Sequence, residues 1–134
     1  MDAIIITPAY AALFALLFFT LSVRTIIMRR RFGVALGHGD QTLVERAARA
    51  HANFAEYVPF ALLLVFFLEA RLESSIVIHG LCLLLLVGRL LHAYGVSQPK
   101  ENYSFRVTGM SMTFTVLLLG ALLILWKYAI AFAR

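Results

Sequence analysis

Between residues 45 and 59 the chain reads Glu45-Arg46-Ala47-Ala48-Arg49-Ala50-His51-Ala52-Asn53-Phe54-Ala55-Glu56-Tyr57-Val58-Pro59. The alanines favour helix. At 100° per residue, Arg46, Arg49, Asn53, Glu56 and Tyr57 fall within an arc of about 100° on one face. That face combines guanidinium groups, which offer paired donors to carboxylate or phosphate, with a carboxylate that can take an ammonium. Asn53 can both donate and accept. The ligand this set suits is small, mainly anionic and partly zwitterionic. The competing reading is that these charges pair with one another to fix helix packing or oligomer register. Arginine outnumbers the acids here, which favours an anionic guest.

Further groups stand ready to join. Arg89 and His92 are three residues apart, hence neighbours on a helix face. Arg106 opens a later apolar run, and Arg29, Arg30 and Arg31 close the first one. Other chemistry is poorly supported. His38, His51 and His92 share no helix face with acids or cysteines, so no metal site is expected. His79 reads as a packing histidine. No serine elbow, triad or dinucleotide fingerprint occurs. Gly37-His38-Gly39 follows no strand and reads as a turn. Cys82 is a lone cysteine in an apolar run, a small buried hydrophobe.

The elements that must position these groups follow from composition. Of 134 residues, 62% are hydrophobic and 14% charged, which excludes a soluble domain and a disordered chain. A bilayer-crossing helix needs about 20 mostly apolar residues. Four stretches meet or approach this, giving expected helices over about 4–31, 42–70, 75–95 and 104–131 in one domain, 1–134. The fold class is an all-α integral membrane protein, a four-transmembrane-helix bundle. The first stretch lacks the marks of a cleaved signal and reads as a retained span. A charged group at mid-helix facing lipid costs about 2.5–3.5 kcal/mol, so the polar face of helix two must meet protein or water. Pro59 removes the hydrogen bond to the Ala55 carbonyl, which favours a kink beside Glu56. Thr42 with Glu45 is a capping-box pattern for the start of helix two. Gly88 and Gly120 are sites of close helix approach.

Nine Lys and Arg flank loops one and three, namely Arg24, Arg29, Arg30, Arg31, Arg46, Arg49, Arg89, Lys100 and Arg106. Arg71, Lys127 and Arg134 lie on the other side. This puts loops one and three in the cytoplasm and both termini outside. The net charge of +5 then reflects orientation and not nucleic-acid binding.

The Arg49-Ala-His-Ala-Asn-Phe-x-Glu-Tyr-x-Pro59 core resembles the signature of the MAPEG family, the membrane-associated proteins in eicosanoid and glutathione metabolism, and most resembles its bacterial branch. The four-helix plan and chain length extend the resemblance over essentially the whole sequence. It implies a homotrimer in a bacterial inner membrane, with glutathione held between neighbouring subunits at the cytoplasmic end. Carried over, Arg49, Asn53 and Glu56 grip the tripeptide, Glu56 taking the γ-glutamyl ammonium. Arg29 or Arg30 resembles a further family arginine of the same pocket. Arg89 and His92 match an Arg-x-x-His pair of the prostaglandin E synthase branch. Arg106 resembles the arginine that holds the glutathione sulfur as thiolate for attack on lipophilic electrophiles or hydroperoxides.

There are departures. Val96 stands seven residues after Arg89, where family synthases have Tyr, and Tyr94 would have to substitute from another helical angle. Arg106 needs a one-residue shift in the loop, and Val107 follows it in place of the Ser of the prostaglandin branch. These argue against a specific prostaglandin or leukotriene synthase and leave open both a general glutathione transferase or peroxidase and a relative that binds a thiol without useful turnover. The alternative is a non-catalytic trimer of the same fold binding an anionic lipid or metabolite at the arginine cluster. A small multidrug transporter would need an essential carboxylate open to both sides, and Glu56 among arginines suits anions better.

Overall fold

The structure is a computed structural model that describes residues 4–71 and 74–133. Four α-helices follow one another, α1 (Ile6–Phe32), α2 (Thr42–Ala70), α3 (Ser75–Ser97) and α4 (Tyr103–Phe132). No strand occurs among the described residues. Each helix is long and apolar enough to cross a membrane. The protein is an all-α membrane protein.

The ends of the helices follow local chemistry. At the end of α1, Gly33 adopts φ +65°, and the Gly33 and Val34 N–H groups bond back to the carbonyls of Arg30 and Arg29. Glycine enters this left-handed region without a side-chain penalty. The basic run Arg29–Arg31 occupies the last turn, where a helix dipole favours cations. The following loop is a turn, with positive φ at Gly37, Gly39 and Asp40. At the start of α4 the Asn102 side chain accepts the Phe105 N–H at 3.1 Å.

The capping box expected at Thr42 does not form. Thr42 is already helical, the flanking position is Gln41, and no side chain caps it. The Gln41 carbonyl instead takes the Glu45 N–H at 3.0 Å. α2 continues through Pro59 to Ala70 without interruption. Residues 72 and 73, within the expected tight turn from Arg71 to Ser75, lie outside the described residues, as does Arg134.

Buried residues of α2 recur every three or four positions, from Val44 through Ala47, Ala50, Phe54, Val58, Ala61 and Val65 to Leu68. From Ala50 onward this stripe meets Phe14 and Leu21 of α1, Ile78, Cys82 and Leu85 of α3, and Val116 of α4 in one core. Outside it, Leu16, Phe19, Leu118 and Leu125 are exposed, as expected of a surface solvated by lipid.

α3 and α4 pack closely. A Cβ on Gly88 would lie 2.9 Å from the Cβ of Met112, and one on Gly120 would lie 3.2 Å from the Cβ of Leu64 in α2, so both expected approach sites are used. Gly95 and Gly109 make two further ones. A Cβ on Gly95 would meet the Arg106 backbone nitrogen at 2.7 Å, and one on Gly109 would meet that of His92 at 2.6 Å. These glycines set how near Arg106 and His92 come to each other.

Candidate functional site

The polar stripe of α2 faces α3 and the start of α4, and a pocket of about 420 Å³ opens there. Thr42, Glu45, Arg46, Arg49, Ala52, Asn53 and Glu56 of α2 line it, with His92 and Val96 of α3, Glu101 of the loop, and Arg106 of α4. Five expected site residues therefore share one cavity: Arg49, Asn53, Glu56, His92 and Arg106.

Behind the wall lies Arg89, fully buried at 0% exposure. Its Nη2 donates to Asn53 Oδ1 at 2.6 Å and to His92 Nδ1 at 3.0 Å, and its Nη1 donates to Thr113 Oγ1 at 3.2 Å. The Thr113 hydroxyl donates its own hydrogen bond to the Gly109 carbonyl at 2.9 Å. Among the described residues no carboxylate pairs with Arg89, and its Nε has no acceptor. A buried guanidinium held only by neutral acceptors is costly, and such groups persist where they organise polar neighbours.

The organisation can be read from donor and acceptor identity. A guanidinium has only donors. His92 must therefore accept at Nδ1, which places the imidazole proton on Nε2 and keeps the ring neutral. Asn53 must present its oxygen to Arg89, which leaves its NH₂ for other partners. Arg89 thus turns two pocket residues into donors. Arg46, Arg49 and Arg106 add charged donors, and Glu45, Glu56 and Glu101 set as many carboxylates beside them, a lining for a ligand that carries both anionic and cationic groups.

Two further contacts shape the pocket. Arg106 Nη1 pairs with Glu101 Oε1 at 2.5 Å. Arg46 Nη1 reaches the Val96 carbonyl only weakly, at 3.5 Å, and its buried Nε has no partner among the described residues. Among the described residues the Glu56 and Arg49 side chains make no hydrogen bond or ion pair, and both line the pocket, available to a ligand.

Four expected site residues do not line this pocket. Arg89 supports the pocket without lining it. Arg29 and Arg30 line a separate recess of about 380 Å³ with Ile26, Gly33, Val34 and Ala35, and Arg29 donates to the Ala35 carbonyl at 3.2 Å. The reason is the side on which α1 packs. Thr25 bonds the Ala47 carbonyl, and Phe18 stacks on His51, whose Nε2 lies 3.0 Å from Ser22 Oγ. α1 thus covers a different face of α2 from the polar stripe. Tyr94 is 55% exposed and packs edge-on against Phe105, outside the pocket wall.

Sequence reasoning missed Glu101, a loop residue with no periodicity to place it. It also missed Glu69, whose carboxylate accepts the N–H groups of Ile5, Ile6 and Thr7 at 2.7–2.9 Å and so caps α1 from the far end of α2. His79 fits its packing role, with Nδ1 3.2 Å from the Tyr10 hydroxyl. Among the described residues no group of three His, Cys, Asp or Glu is placed to hold a metal.

A four-helix membrane bundle with a charged polar pocket along its second helix is the class that fold and site define. The sequence profile of the MAPEG family matches residues 7–126, and the chain belongs to that family. It is similar to the inner membrane protein YecN of Escherichia coli K12, 36% identical over 121 residues that span 90% of this chain and 91% of the relative. YecN of Escherichia coli O6:H1 shows the same identity over the same length.

Proposed function

We propose that the protein is a glutathione-dependent membrane enzyme of the transferase or peroxidase type. The observation that carries this reading is one pocket wall that sets Glu56 among Arg46, Arg49 and Arg106. Glutathione has one ammonium, two carboxylates and a thiol, and the Glu56 acceptor together with the three arginine donors offers a partner for each. Glutathione supplies the nucleophilic sulfur. Glu56 takes the γ-glutamyl ammonium, Arg46 and Arg49 take carboxylates, and the Asn53 amide and His92 Nε2–H add neutral donors. Arg106 holds the sulfur. A thiol of pKa about 8.5 is mostly protonated at neutral pH, and a close guanidinium lowers that value and enlarges the thiolate population. Lipophilic electrophiles or hydroperoxides reach the pocket from the bilayer.

The assembly that suits this reading is a homotrimer, in which Arg29 and Arg30 would join the pocket only from a neighbouring copy. Kinship with YecN supports a bacterial inner membrane, and the arginine distribution supports cytoplasmic loops one and three. The test is thiolate absorbance on adding glutathione to the purified protein. It is expected in the wild type and lost in Arg106→Ala. Its absence from the wild type overturns the thiolate role.

One observation favours a second reading, a binding protein without turnover. Glu101 already neutralises Arg106. Stabilisation by anionic ligands with no reaction of any electrophile would support it.

A further inference from the structure

At the end of the bundle away from the polar pocket, a second cavity lies between α2 and α4. The helices touch where Gly120 meets Leu64. Beyond that contact, larger residues face each other, Phe67 on α2 and Arg71 just past its end against Leu123 and Lys127 on α4, and a groove of about 910 Å³ opens between them. That volume is ample for part of a lipid-sized ligand.

The groove has two ends of different chemistry. Its inner wall, with Phe67 and Leu123, is apolar, while Arg71, Lys127 and Tyr128 stand at the ends of the two helices, where a spanning bundle leaves the hydrocarbon. Trp126 and Tyr128 there are the residue types enriched at a membrane boundary. No carboxylate is among the described residues lining the groove. Arg71 is held in place, since its Nη2 donates to the Tyr128 hydroxyl at 2.7 Å and its guanidinium lies 4.8 Å from the centre of the Tyr128 ring. This leaves other N–H groups of a fixed planar fork for an acceptor-rich anion.

We propose that this groove binds one anionic phospholipid, whose phosphate is held by Arg71 while an acyl chain lies between α2 and α4 along Phe67 and Leu123. The charge at the mouth and the apolar trough behind it match the head-to-tail order of a bilayer lipid. The proposal is independent of glutathione.

The chain's one tryptophan, Trp126, lines the groove and reports on it directly. The full-length protein would be reconstituted in phosphatidylcholine bilayers containing a small, fixed fraction of a brominated lipid, whose bromines quench indole fluorescence on contact. Brominated phosphatidylglycerol is expected to quench Trp126 several-fold more than brominated phosphatidylcholine at the same mole fraction. Arg71→Gln should abolish the difference, Arg71→Lys should keep part of it, and Arg31→Gln, at the other end of the bundle, should keep it all. Equal quenching by the two headgroups in the wild type overturns the proposal without recourse to any variant. So does a headgroup preference unchanged in Arg71→Gln. Shielding of Trp126 from both lipids would mean that a second copy of the chain covers the groove, and overturns it too.

Discussion

Arg89 donates to the side-chain oxygen of Asn53 across 2.6 Å, joining α3 to α2 inside the bundle. The same nitrogen donates to His92, so one buried guanidinium governs two residues of the pocket wall. The orientation of these two neutral donors depends on a residue that does not line the pocket.

Removing Asn53 leaves that guanidinium without its shortest acceptor. Asn53→Ala is expected to destabilise the protein by about 1–3 kcal/mol, the cost of an orphaned buried polar group. Arg89→Met removes the charge together with its need for partners, and should cost less stability while weakening glutathione binding about tenfold, roughly 1.4 kcal/mol. Thermal unfolding in detergent and ligand titration separate the two effects. Equal loss of stability in both variants would contradict this division.

Glu101→Gln frees Arg106 from its carboxylate partner. Affinity for an anionic ligand should rise several-fold, and most at low ionic strength, because salt screens the partly exposed pair. A fall in affinity would mean that Glu101 instead holds Arg106 in its binding position. Isothermal titration at two salt concentrations distinguishes these outcomes.

The Glu69 carboxylate satisfies three N–H groups that begin α1. Glu69→Ala should destabilise by about 2 kcal/mol, the upper range for an anion at a partly buried helix N-terminus. Glu69→Gln, which keeps one acceptor oxygen, should cost about half as much. Melting curves of the two variants check the order.

Gly109→Ala drives a methyl group into the His92 backbone, whereas Gly80→Ala adds one where nothing lies within 4 Å. The first should destabilise by about 1–3 kcal/mol through overpacking. The second should be neutral or stabilising by up to about 1 kcal/mol, since alanine is the better helix former. Comparable melting temperatures for the two variants would contradict the close α3–α4 packing.

The four spans were legible because bilayer solvation demands long apolar helices, and such runs are hard to mistake. The site was legible where one helix carries it, since helical spacing alone puts Arg46, Arg49, Asn53 and Glu56 on one face. It was less legible where helices must be brought together. Arg29 and Arg30 share an end of the bundle with this stripe, yet α1 packs on another face of α2, a choice made by small contacts such as Thr25 on the Ala47 carbonyl. Arg89 looked like a ligand-binding arginine, and only the depth of α3 in the core turns it into a support. Glu69 pairs with backbone groups more than sixty residues away, which leaves no pattern in the sequence. The failed capping box at Thr42 shows the same limit, because a shift of one residue in the helix start removes the geometry.

The central claim is that the α2 pocket binds glutathione through Glu56 and the arginines. Its most direct test is a thermal-shift titration of detergent-purified protein with glutathione, S-hexyl-glutathione and a glutathione lacking the γ-glutamyl amine. The expected result is saturable stabilisation by the first two, weakened for the third, with Glu56→Gln removing the advantage of the amine. No shift with any of them, from protein shown to be folded, would contradict it.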